Sequence, residues 1–227
     1  MENKLILWDI DGTLLYCGSN GTQALNKTFH DLYSIVDAFE STSIGAALDS
    51  VIIQHIIDKF SIINPDLDQI VATYIGNLEE ILKRNEDKKI LPGAREIVSH
   101  INNSRNIFNS ILTSNLREGA KVKLASVGLE KFFWVGGYGD HMGEKWDSAH
   151  NAIKMAEDFY KVKFKKENIF IIGDTVYDIK CAKKLQIKSI AVATGWTAYY
   201  DLEKSLPDFI FKSMKDYQEI IDILELK

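Results

Sequence analysis

The chain has 227 residues, of which 46% are hydrophobic and 26% charged, and its formal net charge at pH 7 is −5. This composition is typical of a globular protein whose core needs no disulfide staples, and Cys17 and Cys181, without a CxxC spacing, are expected to be free thiols. The lack of a signal-peptide pattern, of an apolar run near 18 residues and of a basic stripe predicts a cytoplasmic protein without membrane or nucleic-acid partners.

The first predicted element is a buried strand at residues 5–8, which leads into Asp9-Ile10-Asp11-Gly12-Thr13. Gly12 ends the apolar pattern, so Asp9 and Asp11 lie where the strand gives way to a loop. Residues i and i+2 of a strand point to the same side, and open α/β sheets bind ligands at the carboxyl ends of their strands. We therefore expect both carboxylates in one small space, with an ordinary strand-exit turn as the alternative.

Two close carboxylates repel each other unless a cation or a proton lies between them. The sequence therefore predicts that a divalent metal ion holds one member of the pair, while the other keeps a raised pKa and handles protons. The spacing alone leaves open which aspartate takes which task.

Residues 16–89 are predicted to form a helical insert. Apolar spacing indicates helices over residues 22–39 and 49–60, and a third with Pro65 in its first turn that reaches residue 84. Within the insert, small residues at 17–21 precede the first helix, as a hinge or a plain connection, and a polar break at 85–89 follows the third. The insert is acidic, with 6 Lys/Arg against 11 Asp/Glu.

After Leu91-Pro92-Gly93 the sequence alternates between helices and strands. Strands are predicted at 107–112, 132–135, 169–172 and 189–193, with a short edge strand at 209–211. Helices are predicted at 94–102, 118–127, 146–160 and 214–224. This alternation predicts an α/β fold, a Rossmann-like parallel sheet with helices on both faces and the helical insert as a separate unit.

Polar residues follow two of these strands. Thr113-Ser114-Asn115 comes after the second strand, where a hydroxyl and loop amides can cradle a phosphate, although helix capping alone would explain them. Asp174 and Asp178 follow the fourth strand and, four residues apart, are expected on one side of a helix. Their oxygens would suit Mg²⁺, whereas the plainer interpretation is a favourable charge at a helix N-terminus.

A site with several carboxylates and a phosphate needs a cation besides the metal. Lys145, between the third predicted strand and the next helix, is the candidate, and Lys154 is the weaker one. Trp146 and Trp196 are interpreted as packing residues.

Taken together, these motifs resemble those of the haloacid dehalogenase superfamily, specifically its phosphatases with a helical (C1-type) cap inserted after the first strand, such as phosphoglycolate phosphatase. The matching segments, in order, are Asp9-Ile10-Asp11-Gly12-Thr13, Thr113-Ser114-Asn115, Lys145, and Gly173-Asp174-Thr175 through Asp178. Leu91-Pro92-Gly93 resembles the segment at which chains of this family return from the cap to the core. The resemblance covers nearly the whole chain and implies a core of residues 1–15 and 90–227 with a cap of residues 16–89.

The resemblance also implies roles for these residues. Asp9 is the nucleophile that becomes a phosphoaspartate, and Asp11 gives a proton to the leaving oxygen and later takes one from water. Mg²⁺ is bound by the Asp9 carboxylate, the Asp11 carbonyl and Asp174, with Asp178 as a ligand or as a residue that orients one. The phosphoryl group is held by Gly12, Thr113, Ser114, Asn115 and Lys145. The implied enzyme is a monomer or weak homodimer acting on a small phosphorylated substrate.

Two departures from the family pattern bear on function. Trp146 follows Lys145 where relatives often have proline, and Ala46-Ala47-Leu48-Asp49 lacks the arginine of a cap segment that often reads Gly-Arg-Thr-Asp. A missing arginine in an acidic cap favours phosphomonoesters whose leaving group need not be anionic. Two alternatives stay open: a β-phosphoglucomutase that passes the phosphoryl group to a sugar hydroxyl, and a non-catalytic binding relative.

Overall fold

The computed structural model describes residues 2–40 and 47–225. At the centre of the fold is a six-stranded parallel sheet with the strand order β5-β4-β1-β6-β7-β8. The strands are β1 (Lys4–Trp8), β2 (Leu15–Tyr16), β3 (Lys89–Ile90), β4 (Ile107–Leu112), β5 (Gly136–Gly137), β6 (Ile169–Gly173), β7 (Lys188–Val192) and β8 (Phe209–Phe211). The helices are α1 (Asn20–Tyr33), α2 (Asp49–Lys59), α3 (Leu67–Arg84), α4 (Ala94–Asn103), α5 (Arg117–Ala125), α6 (Lys145–Tyr160), α7 (Val176–Leu185), α8 (Tyr199–Lys204) and α9 (Tyr217–Glu225). The predicted α/β fold with a parallel sheet is confirmed.

Strand β1 is buried on both faces, as its continuous apolar sequence predicts for the centre of a parallel sheet. Leu5 and Leu7 pack in the cluster formed with α6 and α7. Ile6 and Trp8 point the other way, into a larger cluster that includes α4, α5 and α9. Helices therefore cover both faces of the sheet, and this covering fixes the position of the β1 carboxyl end.

The sheet reverses its strand order at β1, which pairs in parallel with β4 on one side and with β6 on the other. Trp8 lies opposite Ile111 of β4 and Ile172 of β6, so the three strands end at nearly the same level. The segments that follow all three strands therefore meet at one edge, which is the usual ligand-binding position in open α/β sheets.

The helical insert leaves and rejoins the sheet through a two-stranded antiparallel ribbon in which Tyr16 of β2 pairs with Lys89 of β3. Between these strands lie α1, α2 and α3. Its apolar residues are continuous with the main core, since Tyr74 and Leu78 belong to the same buried cluster as Ala120 of α5. We retain residues 16–89 as the proposed extent of the cap.

Two helix boundaries in the insert differ from the sequence prediction. Helix α1 ends at Tyr33 rather than at residue 39, because Ser34 has a left-handed conformation with φ of 56°, and Val36 beyond it is 69% exposed. Helix α3 begins at Leu67, because the side chain of Asp66 caps it by accepting a hydrogen bond from the Gln69 amide. Pro65 therefore lies before the helix and not in its first turn.

The predicted third strand at residues 132–135 was wrong. A 3₁₀ turn occupies Glu130–Phe132, Trp134 is 66% exposed, and the strand is Gly136–Gly137. The reason is tertiary: a Cβ atom on Gly137 would lie 1.8 Å from the Ser148 carbonyl oxygen of α6. The sheet edge thus lies where α6 can pack against bare backbone, which an apolar pattern cannot reveal. The other predicted strands and helices end within about two residues of their predicted limits, except α9, which begins at Tyr217 and not at residue 214. Helix α8 and the β2–β3 ribbon were not predicted.

None of the helices in the described ranges combines the length and the apolar character that crossing a bilayer requires. Cys17 and Cys181 are both buried free thiols, as expected.

Gly93, which precedes α4 where the chain returns from the insert, provides a test of this packing. Its φ is +84°, and a Cβ atom there would lie 1.6 Å from the carbonyl oxygen of Met214. We predict that Gly93→Ala lowers the free energy of unfolding by about 3 kcal/mol or more, seen as a fall in Tm of roughly 6–12 °C.

Gly128→Ala is the matched control, since Gly128 also has positive φ, at +69°, but no atom lies within 4 Å of its Cβ position. It should cost only the conformational strain of about 1–2 kcal/mol. Equal losses of Tm in the two variants would contradict a specific contact between Gly93 and the segment before α9.

Candidate active site

Three buried carboxylates meet at the carboxyl edge of the sheet. Asp9 follows β1, Asp174 follows β6, and Asp178 lies in the first turn of α7, and one oxygen from each lies within 4.8 Å of the others. Because β1 and β6 are paired neighbours, the topology forces Asp9 and Asp174 together. The sequence predicted both, and the structure brings them to one point.

Asp178 is held at this cluster by a helix-capping interaction that the sequence analysis did not predict. Asp174 lies before α7, so the two are not on one helical face. Instead Thr175 and Asp178 form a capping box, in which Oδ2 of Asp178 accepts hydrogen bonds from the backbone amide and the hydroxyl of Thr175, at 3.1 and 2.6 Å. This arrangement leaves Oδ1 of Asp178 facing the cluster.

Lys145 supplies the cation at the cluster. Its ammonium lies 2.8 Å from Oδ1 of Asp9 and 2.7 Å from Oδ1 of Asp178. It is the first residue of α6, where Glu144 and Asp147 form a capping box that fixes the start of the helix. Lys154, the weaker candidate, is exposed on the same helix and lines a different groove.

Burial and mutual repulsion shift the titration of the carboxylates. Burial raises the pKa of Asp9 to about 6, with Asp178 adding to the rise and Lys145 opposing it. Burial, followed by the charges of Asp9 and Asp178, raises the pKa of Asp174 to about 8. Burial alone would lower the pKa of Lys145, but Asp178 and Asp9 outweigh it and raise the value, so the lysine stays charged.

The cluster has the properties of a site for a hard divalent cation. All three donors are carboxylate oxygens, the type of ligand that Mg²⁺ takes in proteins. Oδ1 of Asp178 is buried and accepts no well-directed hydrogen bond within the described ranges, despite its proximity to Lys145. Burial raises the pKa of Asp9 and Asp174, and repulsion between the carboxylates adds to the rise; a bound divalent ion would offset that repulsion. The residues present therefore fit the metal ion that the family pattern implies.

Two glycines pack so closely against Asp174 that neither position has room for a side chain. A Cβ on Gly195 would lie 1.7 Å from Oδ2 of Asp174, and one on Gly12 would lie 2.6 Å from it. Asp174 also accepts hydrogen bonds from the Thr13 hydroxyl and the Trp196 amide, both at 3.3 Å. The Trp196 side chain meets the Tyr16 ring at a centroid distance of 6.5 Å but is 77% exposed, so it is not a core packing residue as expected. Its backbone amide makes the contact with Asp174.

The predicted phosphate cradle after β4 has two available donors. The Thr113 hydroxyl oxygen accepts hydrogen bonds from the amide and the side chain of Asn115, so its proton is free to be donated. The Ser114 amide donates no hydrogen bond within the described part of the chain. Asn115 is turned toward Asp11, and the Gly12 amide already donates to the Leu15 carbonyl at 2.9 Å.

Asp11 faces away from the three-carboxylate cluster. Its Oδ2 lies 2.7 Å from the ammonium of Lys123 and accepts a 2.7 Å hydrogen bond from Asn115, while the Cys17 thiol lies 3.4 Å from Oδ1. Burial would raise the pKa of Asp11, but Lys123 outweighs it and holds the pKa below its usual range. The expected raised pKa for the proton-handling partner is therefore not found at Asp11; it is found at Asp9.

Lys123 is the site residue that sequence reasoning missed. It is buried, and its ammonium also donates to Oδ1 of Asn115 at 2.7 Å. The charge of Asp11 offsets burial and raises the pKa of Lys123. The available signal was its position on the apolar face of α5, beside Ala120 and Leu124, where a lysine requires a charged partner.

Asp11 and Lys123 form the floor of a cavity of about 210 Å³ between the insert and the sheet. The insert contributes Asp49 at the first turn of α2, together with Tyr74 and several apolar side chains, Leu25, Phe39, Ile52 and Ile53. Burial raises the pKa of Asp49 to about 6. Ala46, the first residue of the cap segment singled out above, lies outside the described residues.

Replacing Lys123 tests the ion pair with Asp11. We predict that Lys123→Met lowers the free energy of unfolding by about 2 kcal/mol at pH 7, less than for a fully buried pair because the Asp11 side chain is 37% exposed. The lowered pKa of Asp11 makes this stabilisation complete above about pH 4 and absent well below it, so the gap to wild type should close in acid.

Denaturant unfolding of Lys123→Met, Asp11→Asn and the double variant measures the coupling. The account expects the double variant to lose about 1–2 kcal/mol less than the two single losses combined. Strict additivity would show that the two charges do not stabilise each other.

Known proteins resemble this chain in sequence and in fold. The model for the family "Haloacid dehalogenase-like hydrolase" matches residues 6–192. Pyrophosphatase PpaX of Halalkalibacterium halodurans is 26% identical, covering 98% of this chain and 99% of its own, and the phosphoglycolate phosphatase of Aquifex aeolicus is 24% identical, covering 96% and 97%. CbbY of Rhodobacter sphaeroides, solved with phosphate, has a TM-score of 0.72 at 16% identity and covers 94% of this chain and 96% of its own. The resemblance is thereby confirmed, and this chain belongs to the haloacid dehalogenase-like hydrolase family.

Proposed function

We propose that this enzyme is a Mg²⁺-dependent phosphatase that hydrolyses small phosphomonoesters through a phosphoaspartate at Asp9. The observation that carries the proposal is the buried cluster of Asp9, Asp174 and Asp178, with Lys145 in contact with the first and the last. Uncatalysed hydrolysis of phosphate monoesters is extremely slow, and an anionic nucleophile can approach phosphate only where cations offset the charge.

In the first step a carboxylate oxygen of Asp9 attacks phosphorus, and the bond between phosphorus and the ester oxygen breaks. Lys145 holds Asp9 at 2.8 Å and so fixes the direction of attack. The free proton of the Thr113 hydroxyl and the uncommitted amide of Ser114 are available to the phosphoryl oxygens. Mg²⁺, held by Asp9, Asp174, Asp178 and the Asp11 carbonyl, would neutralise charge on the transferring group.

Asp11 handles the protons of both steps. As an acid it protonates the departing ester oxygen, and as a base it takes a proton from the water that cleaves the phosphoaspartate. Lys123 and Asn115 direct its carboxylate into the cavity beneath the insert, where the leaving group would lie. Lys123 favours the ionised form, which suits the base; the dianionic phosphoryl group of the substrate raises the pKa of a neighbouring carboxyl and so favours the acid.

The cavity limits the substrate. Its 210 Å³ is the volume of about seven water molecules and lies below the usual size of drug-binding pockets. Among the described residues that line it, Lys123 is the sole cation, and it is already paired with Asp11. The cavity therefore favours small leaving groups, and its described lining supplies no uncommitted cation for an anionic one. The names of the two relatives, a pyrophosphatase and a phosphoglycolate phosphatase, imply substrates with anionic leaving groups.

The same residues would serve a mutase that transfers the phosphoryl group to a second hydroxyl. No contact within the described ranges favours it specifically, so hydrolysis is the function we propose. The presence of Asp9, Asp11 and Asp174, two of them in one buried cluster with Asp178, also weighs against a non-catalytic relative.

We predict that Asp9→Asn lowers kcat at least about 10³-fold, because the amide cannot form the acyl phosphate. Release of inorganic phosphate from a panel of small phosphomonoesters with Mg²⁺ provides the rate, and acid-quenched mass spectrometry should detect phosphorylation of Asp9 in wild type alone.

Lys154→Met on the exposed face of α6 is the control, and it should retain the wild-type rate. A phosphorylated residue other than Asp9, or equal rates for Asp9→Asn and wild type, would refute the mechanism. Isomerised sugar phosphate formed without phosphate release would indicate the mutase instead.

A further inference from the structure

Among the described residues that line the cavity, Asp49 is the carboxylate that the proposed mechanism does not use. Its backbone amide donates to the Ser114 carbonyl at 2.8 Å, and its Oδ2 accepts from the Leu116 amide at 2.9 Å. These bonds fix the side chain against the loop after β4. Within residues 2–40 and 47–225, no hydrogen bond or ion pair engages Oδ1, and the half-buried side chain lines the cavity.

Among the described residues that line the cavity, no cation is paired with Asp49. Lys123, the cation among the described lining residues, contacts Asp11 and Asn115 at 2.7 Å each. The six residues at positions 41–46 include no lysine or arginine by sequence. Burial raises the pKa of Asp49 to about 6, and the charge of Lys123 offsets only part of this rise. A positive charge on the substrate would provide Asp49 with a counter-charge.

The net charge of the wider site is also negative. Five carboxylates (Asp9, Asp11, Asp49, Asp174 and Asp178) face two ammonium groups (Lys123 and Lys145), so the net charge is −3 when all are ionised. One divalent cation reduces this to −1, and the phosphoryl group of a substrate then adds its own negative charge. A leaving group with a positive charge is therefore favoured by the field of the whole site, and one with a negative charge is opposed.

The remaining walls suit a small organic cation. Tyr74 and Phe39 contribute aromatic rings to the cavity, and ring faces attract ammonium groups. Burial raises the pKa of the Tyr74 phenol, so it remains a neutral hydroxyl. Leu25, Ile52 and Ile53 accommodate the carbon atoms of a short chain.

We propose that this cavity selects phosphate monoesters of small amino alcohols, with the leaving group's ammonium paired to Asp49. This inference rests on the proposed function, because it places the phosphoryl group at Asp9 and the leaving group beneath the insert. A neutral polyol of the same volume would leave Asp49 without a counter-charge, and a carboxylate or second phosphate would be repelled by it.

The test uses three esters of nearly equal size that differ in terminal charge: O-phosphoethanolamine (cationic), n-propyl phosphate (neutral) and phosphoglycolate (anionic). We expect kcat/KM of the wild-type enzyme to fall in that order at low salt. The cationic and neutral esters should differ at least about tenfold, the effect of one partly screened ion pair worth about 1.4 kcal/mol.

Asp49→Asn is the informative variant, because the amide oxygen can still accept the hydrogen bond from Leu116 while the charge is lost. It should reduce the ratio of cationic to neutral ester to about one, whatever its effect on the absolute rates. Asp58→Asn is the matched control, since it removes the same charge from an exposed position of the same helix, and its ratio should equal that of wild type.

Binding to Asp9→Asn, measured by calorimetry with the same three esters, separates the inference from the proposed function. Preferential binding of O-phosphoethanolamine without turnover by wild type would contradict the phosphatase but support the selectivity of the cavity. Turnover with the neutral ester equal to or better than the cationic one would overturn the inference and leave the phosphatase standing. Equal loss of selectivity in Asp49→Asn and Asp58→Asn would also overturn it, and absence of both turnover and preferential binding would refute both.

Discussion

The candidate active site depends on the burial of three carboxylates against one another at the end of β1. Asp9, Asp174 and Asp178 have a single ammonium group, that of Lys145, to offset their charges among the described residues in contact with them. Mutual repulsion and burial raise the pKa of Asp9 to about 6 and that of Asp174 to about 8, so this arrangement costs free energy in the absence of a further cation. Such a cost is typical of a site arranged for function rather than for stability.

The two lysines of the site, Lys123 and Lys145, divide it into two halves. Lys145 belongs to the half with Asp9, where phosphorus would be attacked, and Lys123 to the half with Asp11, where the leaving group would depart. The insert closes the second half, since Asp49 bonds to Ser114 and Leu116, and Ser50 donates to the Gly139 carbonyl at 2.6 Å. In the proposed function, residues at the sheet edge would carry out the chemistry, and side chains of the insert would discriminate between leaving groups.

The sequence placed Asp9 and Asp174 at strand ends and identified Lys145 between a predicted strand and the next helix. It did not predict that β1 and β6 are paired neighbours, the contact that brings the two carboxylates together. It was insufficient where packing decides. Lys123 lies within a helix, where lysine is ordinarily a surface residue, and only the packing of α5 beneath the insert buries it. The third strand was placed in an aromatic run, whereas the close approach of α6 moves it to Gly136–Gly137.

The most direct test of the central claim is a crystal structure of the wild-type protein soaked with Mn²⁺, which prefers the same oxygen ligands as Mg²⁺ and gives an anomalous signal. The account predicts one anomalous peak within coordinating distance of Asp9, Asp174 or both, on the side of the cluster that Asp178 also faces. At saturating Mn²⁺, a cluster without a peak, or a peak that contacts neither Asp9 nor Asp174, would contradict it.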